Sequence, residues 1–153
     1  GGELPPRGGG RKLARAGRGW RPLDGQGGGA APTPPQPNRD WPWSLSVGGT
    51  PRSDPSWQDV ESGMRELVPD PDSFLILEQR EPGDPEHCWF IQCAVAARGP
   101  DAGQYAVQIG CPSPDGPRLW ERIEPDVQGA IQVFSDAYHH RGLDVSGFRE
   151  TEV

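Results

Sequence analysis

The sequence predicts an α+β protein: an antiparallel four- to five-stranded sheet with two helices on one of its faces, preceded by a disordered N-terminal tail. Three observations lead to this prediction. Apolar residues alternate with polar ones in several short segments, and they recur at helical spacing in two others. The turns between the later strand segments are too short for crossover helices, so successive strands run antiparallel. The predicted element order is β-α-β-β-β-β-α.

The tail is predicted from composition. Of residues 1–40, 18 are Gly or Pro, and the few apolar side chains among them follow no period of 2 or 3.6. Burying so few side chains cannot offset about 1–2 kcal/mol of backbone conformational entropy per ordered residue. We therefore predict a disordered tail over 1–40 and an acidic α+β domain over 41–153.

Charge divides the chain at the same place. The 153 residues carry a formal net charge of −7. Residues 1–40 hold seven basic and three acidic residues, for +4, whereas residues 41–153 hold eight basic and nineteen acidic residues, for −11. No stretch approaches 18 consecutive apolar residues, so we predict no membrane-spanning segment.

The first strand and the first helix have clear boundaries. Apolar residues alternate with serines over 43–47, and two glycines at 48–49 end this strand. Ser56 is placed to cap the helix that follows, with Asp59 three residues later as an approximate capping box. Pro69 ends the helix.

Four further strands are predicted over residues 73–80, 87–97, 104–111 and 118–123. The first contains an uninterrupted apolar run, which is typical of a strand buried on both faces. The third alternates cleanly between apolar and polar residues. Each connection between them is rich in Gly, Pro and Asp, the residues that favour tight turns.

The last helix is predicted to begin at Asp126 and to end before Gly142. Its apolar residues fall on one face, with Phe134 at the centre. His139 and His140 follow at the C-terminal end, where the helix dipole favours positive charge. This interaction explains the histidine pair without a metal.

No sequence motif indicates an enzyme or a cofactor. The chain has neither a G-x-S-x-G nucleophile elbow nor a Walker loop. Cys88 and Cys93 are five apart on a strand and point to opposite faces, while Cys93 and Cys111 are expected in the core, so the spacing fits no metal template. An odd number of cysteines and the lack of a signal-peptide pattern favour a cytoplasmic location.

The acidic domain is predicted to bind a basic protein. Aromatic residues and turn carboxylates are the side chains expected at such a surface. Trp57 and Trp89 are expected in the core instead. The predicted partner-binding residues are Glu81, Asp84, Glu86 and Trp120.

An RNA-associated protein is the alternative prediction. Arginines interspersed with glycines bind RNA through phosphate contacts, and a nearby tryptophan can stack on a base. The residues that would carry this binding are Arg7, Arg11, Lys12, Arg15, Arg18, Trp20 and Arg21.

A family resemblance favours the protein-binding prediction. Three segments carry it: Val47-Gly48-Gly49, PSWQDV at 55–60 and SFLIL at 73–77. Over roughly residues 43–140 the chain resembles small actinobacterial α+β proteins of unknown role, some of them similar to immunity proteins of polymorphic toxins. The resemblance implies a small cytosolic protein that binds and blocks a toxin. The acidity of the domain would suit a basic nuclease or deaminase as that toxin.

Overall fold

The computed structural model describes residues 34–112 and 117–151, apart from the side chains of residues 85 and 86. This part of the chain contains seven strands and two helices. In chain order they are β1 (Trp43–Val47), β2 (Thr50–Ser53), α1 (Trp57–Arg65), β3 (Phe74–Glu81), β4 (Asp84–Val95), β5 (Tyr105–Cys111), β6 (Arg118–Glu124), α2 (Val127–Tyr138) and β7 (Arg149–Thr151).

The strands form one antiparallel sheet in the order β2-β1-β3-β4-β5-β6-β7. The α+β class and the antiparallel sheet are confirmed, but the predicted count of four to five strands is wrong. The two additional strands, β2 and β7, lie at the edges of the sheet and consist almost entirely of exposed residues. They show no apolar alternation because they have no buried face.

The glycine pair at 48–49 is the turn of a hairpin rather than the end of an isolated strand. Gly48 and Gly49 have φ values of 58° and 92°. Positive φ at both central residues is the requirement of a type I′ two-residue hairpin turn, which glycine meets without steric cost. β1 therefore pairs with β2 on one side and with β3 on the other.

Helix α1 begins as predicted. The Ser56 hydroxyl accepts a hydrogen bond from the Asp59 backbone N–H, and the Asp59 carboxylate accepts one from the Ser56 N–H. The bond from Ser56 is the main reason that the pKa of Asp59 is lowered. The reciprocal pair satisfies two backbone donors that the first helical turn would leave without acceptors.

Both helices pack on the same face of the sheet. They contribute to one core together with the odd-numbered residues of β3, β4 and β5. Phe134 is fully buried there, and Cys93 and Cys111 belong to the same core, as predicted. None of the helices in the described residues has the length and apolar character needed to cross a membrane.

The opposite face of the sheet is formed by the even-numbered residues of β3, β4 and β5, and we call it the helix-free face. Its buried residues are Ile76, Cys88, Phe90, Gln92, Ala94, Ala106, Gln108 and Gly110. Cys88 and Cys93 therefore lie on opposite faces, as predicted. All three cysteines are buried and free of disulfides.

Gly110→Ala is expected to lower the free energy of unfolding by about 1–3 kcal/mol, because overpacking forces neighbouring groups to move. A Cβ at Gly110 would clash with the Phe90 ring. Denaturant unfolding measures the loss. In a Phe90→Ala background the same substitution should cost little, since the clashing ring is gone. Equal losses in the free energy of unfolding in the two backgrounds would contradict a clash between the added Cβ and the Phe90 ring.

The folded domain begins before residue 41, where composition placed its start. Gln36 Nε2 donates to the Leu143 carbonyl at 3.0 Å, and Gln36 Oε1 accepts from the Leu143 N–H at 2.8 Å. The Asn38 N–H donates to Gln79 Oε1 at 2.8 Å. The part of the predicted tail over 1–33 lies outside the described residues.

Candidate functional site

The turn between β3 and β4 brings two of the predicted partner-binding carboxylates together. Pro82 and Gly83 form the turn, and Gly83 has a φ of 86°. The ladder shifts register between Arg80 and Glu81, so that Glu81 pairs directly with Asp84. A shift of this kind re-aims side chains at the end of a hairpin.

His87 completes this group, which we call the hairpin cluster: Glu81, Asp84 and His87. Their ligand atoms all lie within 4.8 Å of one another. His87 Nδ1 lies 2.5 Å from Glu81 Oε1, and the imidazole is only 8% exposed. The Trp41 ring meets the imidazole edge-on, with centroids 5.2 Å apart. Trp41 and the strand backbone thus fix His87, while the two carboxylates lie closer to the surface.

The hairpin cluster offers two kinds of chemistry. Two carboxylates and an imidazole are donors that divalent cations accept. The same carboxylates can also pair with Arg or Lys side chains of another protein, because the oxygen atoms that would bind a metal ion also accept hydrogen bonds from a cationic side chain. The donor set alone does not identify a metal site.

The other predicted site residues have different outcomes. Trp120 was expected on a partner surface, but it is 4% exposed and belongs to the core. Trp120 pairs with Ile109 on the helix side of the sheet, so its ring is directed into the core and not toward a partner. The backbone of Glu86 lies in β4, and its side chain is outside the described part. The RNA-binding residues of the alternative prediction, at 7–21, lie outside the described residues.

The histidine pair lies at the C-terminal end of α2, as predicted, but the lowered pKa of His140 disfavours the charged form that an interaction with the helix dipole requires. His139 caps the C-terminus of α2, and its Nδ1 lies 2.9 Å from the Ser135 carbonyl oxygen. Burial, followed by the nearby positive charges of Arg39 and His139, lowers the pKa of His140. The Tyr138 hydroxyl donates to the Pro55 carbonyl at 2.7 Å and ties α2 to the start of α1.

Gln79 is a structural residue that the sequence analysis missed. Its side chain is 0% exposed. Gln79 Oε1 accepts from the Asn38 N–H and from Trp89 Nε1, each at 2.8 Å. Gln79 Nε2 donates to the Asn38 carbonyl at 2.8 Å and to the Trp41 carbonyl at 3.0 Å. Gln79 therefore fastens residues 38–41 beside the hairpin cluster. The sequence could have revealed Gln79 by its position two residues after Leu77 and four after Leu75, because alternate residues of a strand share one face and Leu75 and Leu77 face the core.

The described domain keeps an acidic excess around the site. Residues 34–153 hold nine basic and twenty acidic residues, for a net charge of −11. Several arginines already have intramolecular partners: Arg52 with Asp59, Arg65 with Glu61, Arg80 with Glu78, Arg118 with Glu150, Arg122 with Glu124 and Arg141 with Asp136. Each of these pairs neutralises one carboxylate with one arginine, and the excess of eleven negative charges over residues 34–153 makes the field around them negative.

No protein-family model matches the chain, and no curated protein or solved structure is significantly similar to it. The resemblance to immunity proteins stays a prediction. Proposals about function therefore rest on the geometry of the hairpin cluster and on the charge of the domain that carries it.

Proposed function

We propose that residues 34–153 form a non-enzymatic protein-binding domain that takes a basic partner at the hairpin cluster. The observation that carries this proposal is the direct pairing of Glu81 with Asp84 across a tight turn. The two carboxylates lie within 4.8 Å of each other and of the His87 imidazole, so they concentrate negative charge at the end of the hairpin, and this charge attracts a cationic group. An Arg or Lys side chain of a partner supplies such a group.

The charge of the domain supports the same proposal. A net charge of −11 over residues 34–153 attracts a basic protein at long range and speeds its association. The hairpin cluster then supplies the local contact, because its turn residues Pro82 and Gly83 are exposed. The net charge of the domain and the local contact at the hairpin cluster therefore both favour a basic protein as the partner.

The more specific form of the proposal is an immunity-type inhibitor acting in the cytoplasm on a basic bacterial toxin. The resemblance over residues 43–140 suggests this class, and an acidic surface complements a basic nuclease. The alternative, RNA binding through the arginine-rich segment at 7–21, concerns residues outside the described part of the chain.

The test compares two charge-reversal variants with the same net charge. Glu81→Lys/Asp84→Lys changes the hairpin cluster. Glu66→Lys/Asp72→Lys changes the charge equally near the opposite end of β3, at two exposed residues. A basic protein captured by the wild-type chain from nuclease-treated lysate of the encoding organism is purified, and its association rate is measured at several salt concentrations.

We expect the cluster variant to slow association at least tenfold at low salt and the control variant to slow it much less. The difference should shrink as salt screens the charges. Equal slowing by both variants would show that only net charge matters and would overturn the assignment to the hairpin cluster. If nuclease abolishes all capture, the RNA alternative replaces the proposal.

A further inference from the structure

The hairpin cluster owes its geometry to a bulge in β4. Up to Arg80 the ladder between β3 and β4 is regular, and the same register would set Glu81 opposite His87. Glu81 pairs instead with Asp84, so β4 carries three extra residues, 85–87, at this point. A bulge of this kind changes which side chains share one side of a strand. The Glu81 carboxylate therefore lies next to the imidazole and to the second carboxylate at once.

The imidazole distinguishes this cluster from an ordinary acidic turn. His87 is buried, whereas 39% of the Glu81 side chain is exposed and gives an ion access from solvent. A neutral imidazole nitrogen is the commonest metal ligand that proteins supply. Carboxylate oxygens bind the same ions when they accompany an imidazole. The cluster therefore offers one nitrogen donor and two oxygen donors to an ion that enters from the side of Glu81.

Residues around the cluster hold the imidazole in one orientation. The Trp41 ring packs edge-on against the His87 imidazole, and the Trp41 carbonyl accepts a hydrogen bond from Gln79 Nε2. Gln79 Oε1 in turn accepts from Trp89 Nε1 in the core. Metal sites depend on such surrounding residues, which set the orientation of a ligand before the ion arrives. Trp89, Gln79 and Trp41 together do this for His87.

The distances in the cluster fit a small transition-metal ion. Zn²⁺ binds nitrogen and oxygen ligands at about 2.0–2.2 Å, so the ligand atoms of a tetrahedral site lie roughly 3.3 Å from one another. The three donor atoms of the cluster lie within 4.8 Å of one another, and His87 Nδ1 and Glu81 Oε1 are 2.5 Å apart. Small rotations of the two carboxylates bring all three donor atoms to the separation that Zn²⁺ requires.

We propose that Glu81, Asp84 and His87 form a binding site for a divalent transition-metal ion, and that Zn²⁺ is the ion their donors fit best. Ca²⁺ and Mg²⁺ are disfavoured because they take oxygen ligands, whereas Zn²⁺ takes imidazole and carboxylate together. Three protein ligands leave the fourth position to water or to an outside ligand. The net charge of −11 over residues 34–153 favours a cation. The site needs no protein partner, so it stands or fails separately from the proposed function.

Calorimetric titration of the metal-free, untagged full chain with Zn²⁺ tests the site. We expect saturable binding whose affinity is at least tenfold lower in His87→Gln, because the variant lacks the nitrogen ligand. The matched control is His139→Gln, which removes an exposed imidazole at the end of α2 and should bind Zn²⁺ as wild type does. Ca²⁺ should bind the wild-type chain at least tenfold more weakly than Zn²⁺.

The two carboxylates are tested by variants of equal net charge. Glu81→Gln/Asp84→Asn removes both oxygen ligands, while Glu66→Gln/Asp72→Asn removes two exposed negative charges near the opposite end of β3. We expect the affinity for Zn²⁺ to fall at least tenfold in the first variant and less than twofold in the second. If His87→Gln fails to fold, this comparison decides. Equal losses of affinity would show that net charge alone attracts the ion and would overturn the site.

X-ray absorption spectroscopy of the zinc-loaded wild-type chain identifies the ligand atoms directly. We expect only nitrogen and oxygen neighbours, at about 2.0–2.2 Å from the ion. Sulfur neighbours at about 2.3 Å would mean that the buried cysteines hold the zinc, and this result overturns the proposal. The proposal also fails if the wild-type chain shows no saturable binding, if it binds Ca²⁺ as tightly as Zn²⁺, or if His139→Gln loses as much affinity as His87→Gln.

Discussion

Phe134→Ala is expected to lower the free energy of unfolding by about 3–5 kcal/mol, since truncation of a buried aromatic ring leaves a cavity. Phe134 is 0% exposed and lies in the core between α2 and the sheet. Such a loss is a large part of the roughly 5–15 kcal/mol by which a domain is stable. Urea or guanidinium unfolding followed by tryptophan fluorescence measures it. Insoluble expression would be the same effect in its extreme form.

Asp136→Ala is the matched control on the same helix. Its carboxylate accepts from Gln132 Nε2 at 2.9 Å and lies 3.3 Å from Arg141 Nε. Contacts of this kind between partly exposed charges contribute about 0–1 kcal/mol. If the two substitutions lowered stability equally, the buried face of α2 would have been assigned wrongly.

The elements with a buried face were predictable from sequence. Alternation in β1 and β5, and helical spacing around Phe134, reflect which side chains leave water. The capping box of Ser56 and Asp59 was predictable for a local reason, because its hydrogen bonds join residues three apart in the chain.

Edge strands were not predictable, because they lack such a pattern. β2 contains Pro51 and is exposed throughout, so only its pairing with β1 makes it a strand. β7 was missed for the same reason, and β6 was expected to be an outer strand with its tryptophan at a surface. Trp120 is buried because it lies beside Ile109 on the face that the helices cover.

The candidate site was predictable only in part. Glu81 and Asp84 stood out as turn carboxylates, but the register shift that pairs them and adds His87 depends on the hairpin geometry. Gln79 was invisible for a different reason. Its partners Asn38 and Trp89 lie 41 and 10 residues away, and no local pattern encodes a hydrogen bond over such distances.

Gln79→Leu is expected to lower the free energy of unfolding by about 2–4 kcal/mol, although leucine nearly matches the volume of glutamine. Leucine leaves Trp89 Nε1 without its acceptor in the core and takes both Gln79 bonds away from Asn38. Each buried group left without a partner costs about 1–3 kcal/mol. Part of this cost is relieved because residues 38–41 can detach and bond to water.

Detachment gives the prediction a second readout. Limited trypsin digestion should cleave after Arg39 several-fold faster in Gln79→Leu than in wild type, since the segment is no longer held against β3. Gln58→Leu, at an exposed position of α1, is the matched control and should change stability by less than about 0.5 kcal/mol. If Gln79→Leu were as stable as wild type and no more sensitive at Arg39, then Gln79 would not hold residues 38–41 in place. Those residues would have to be fixed instead by the Gln36 bonds to Leu143, which the substitution leaves intact.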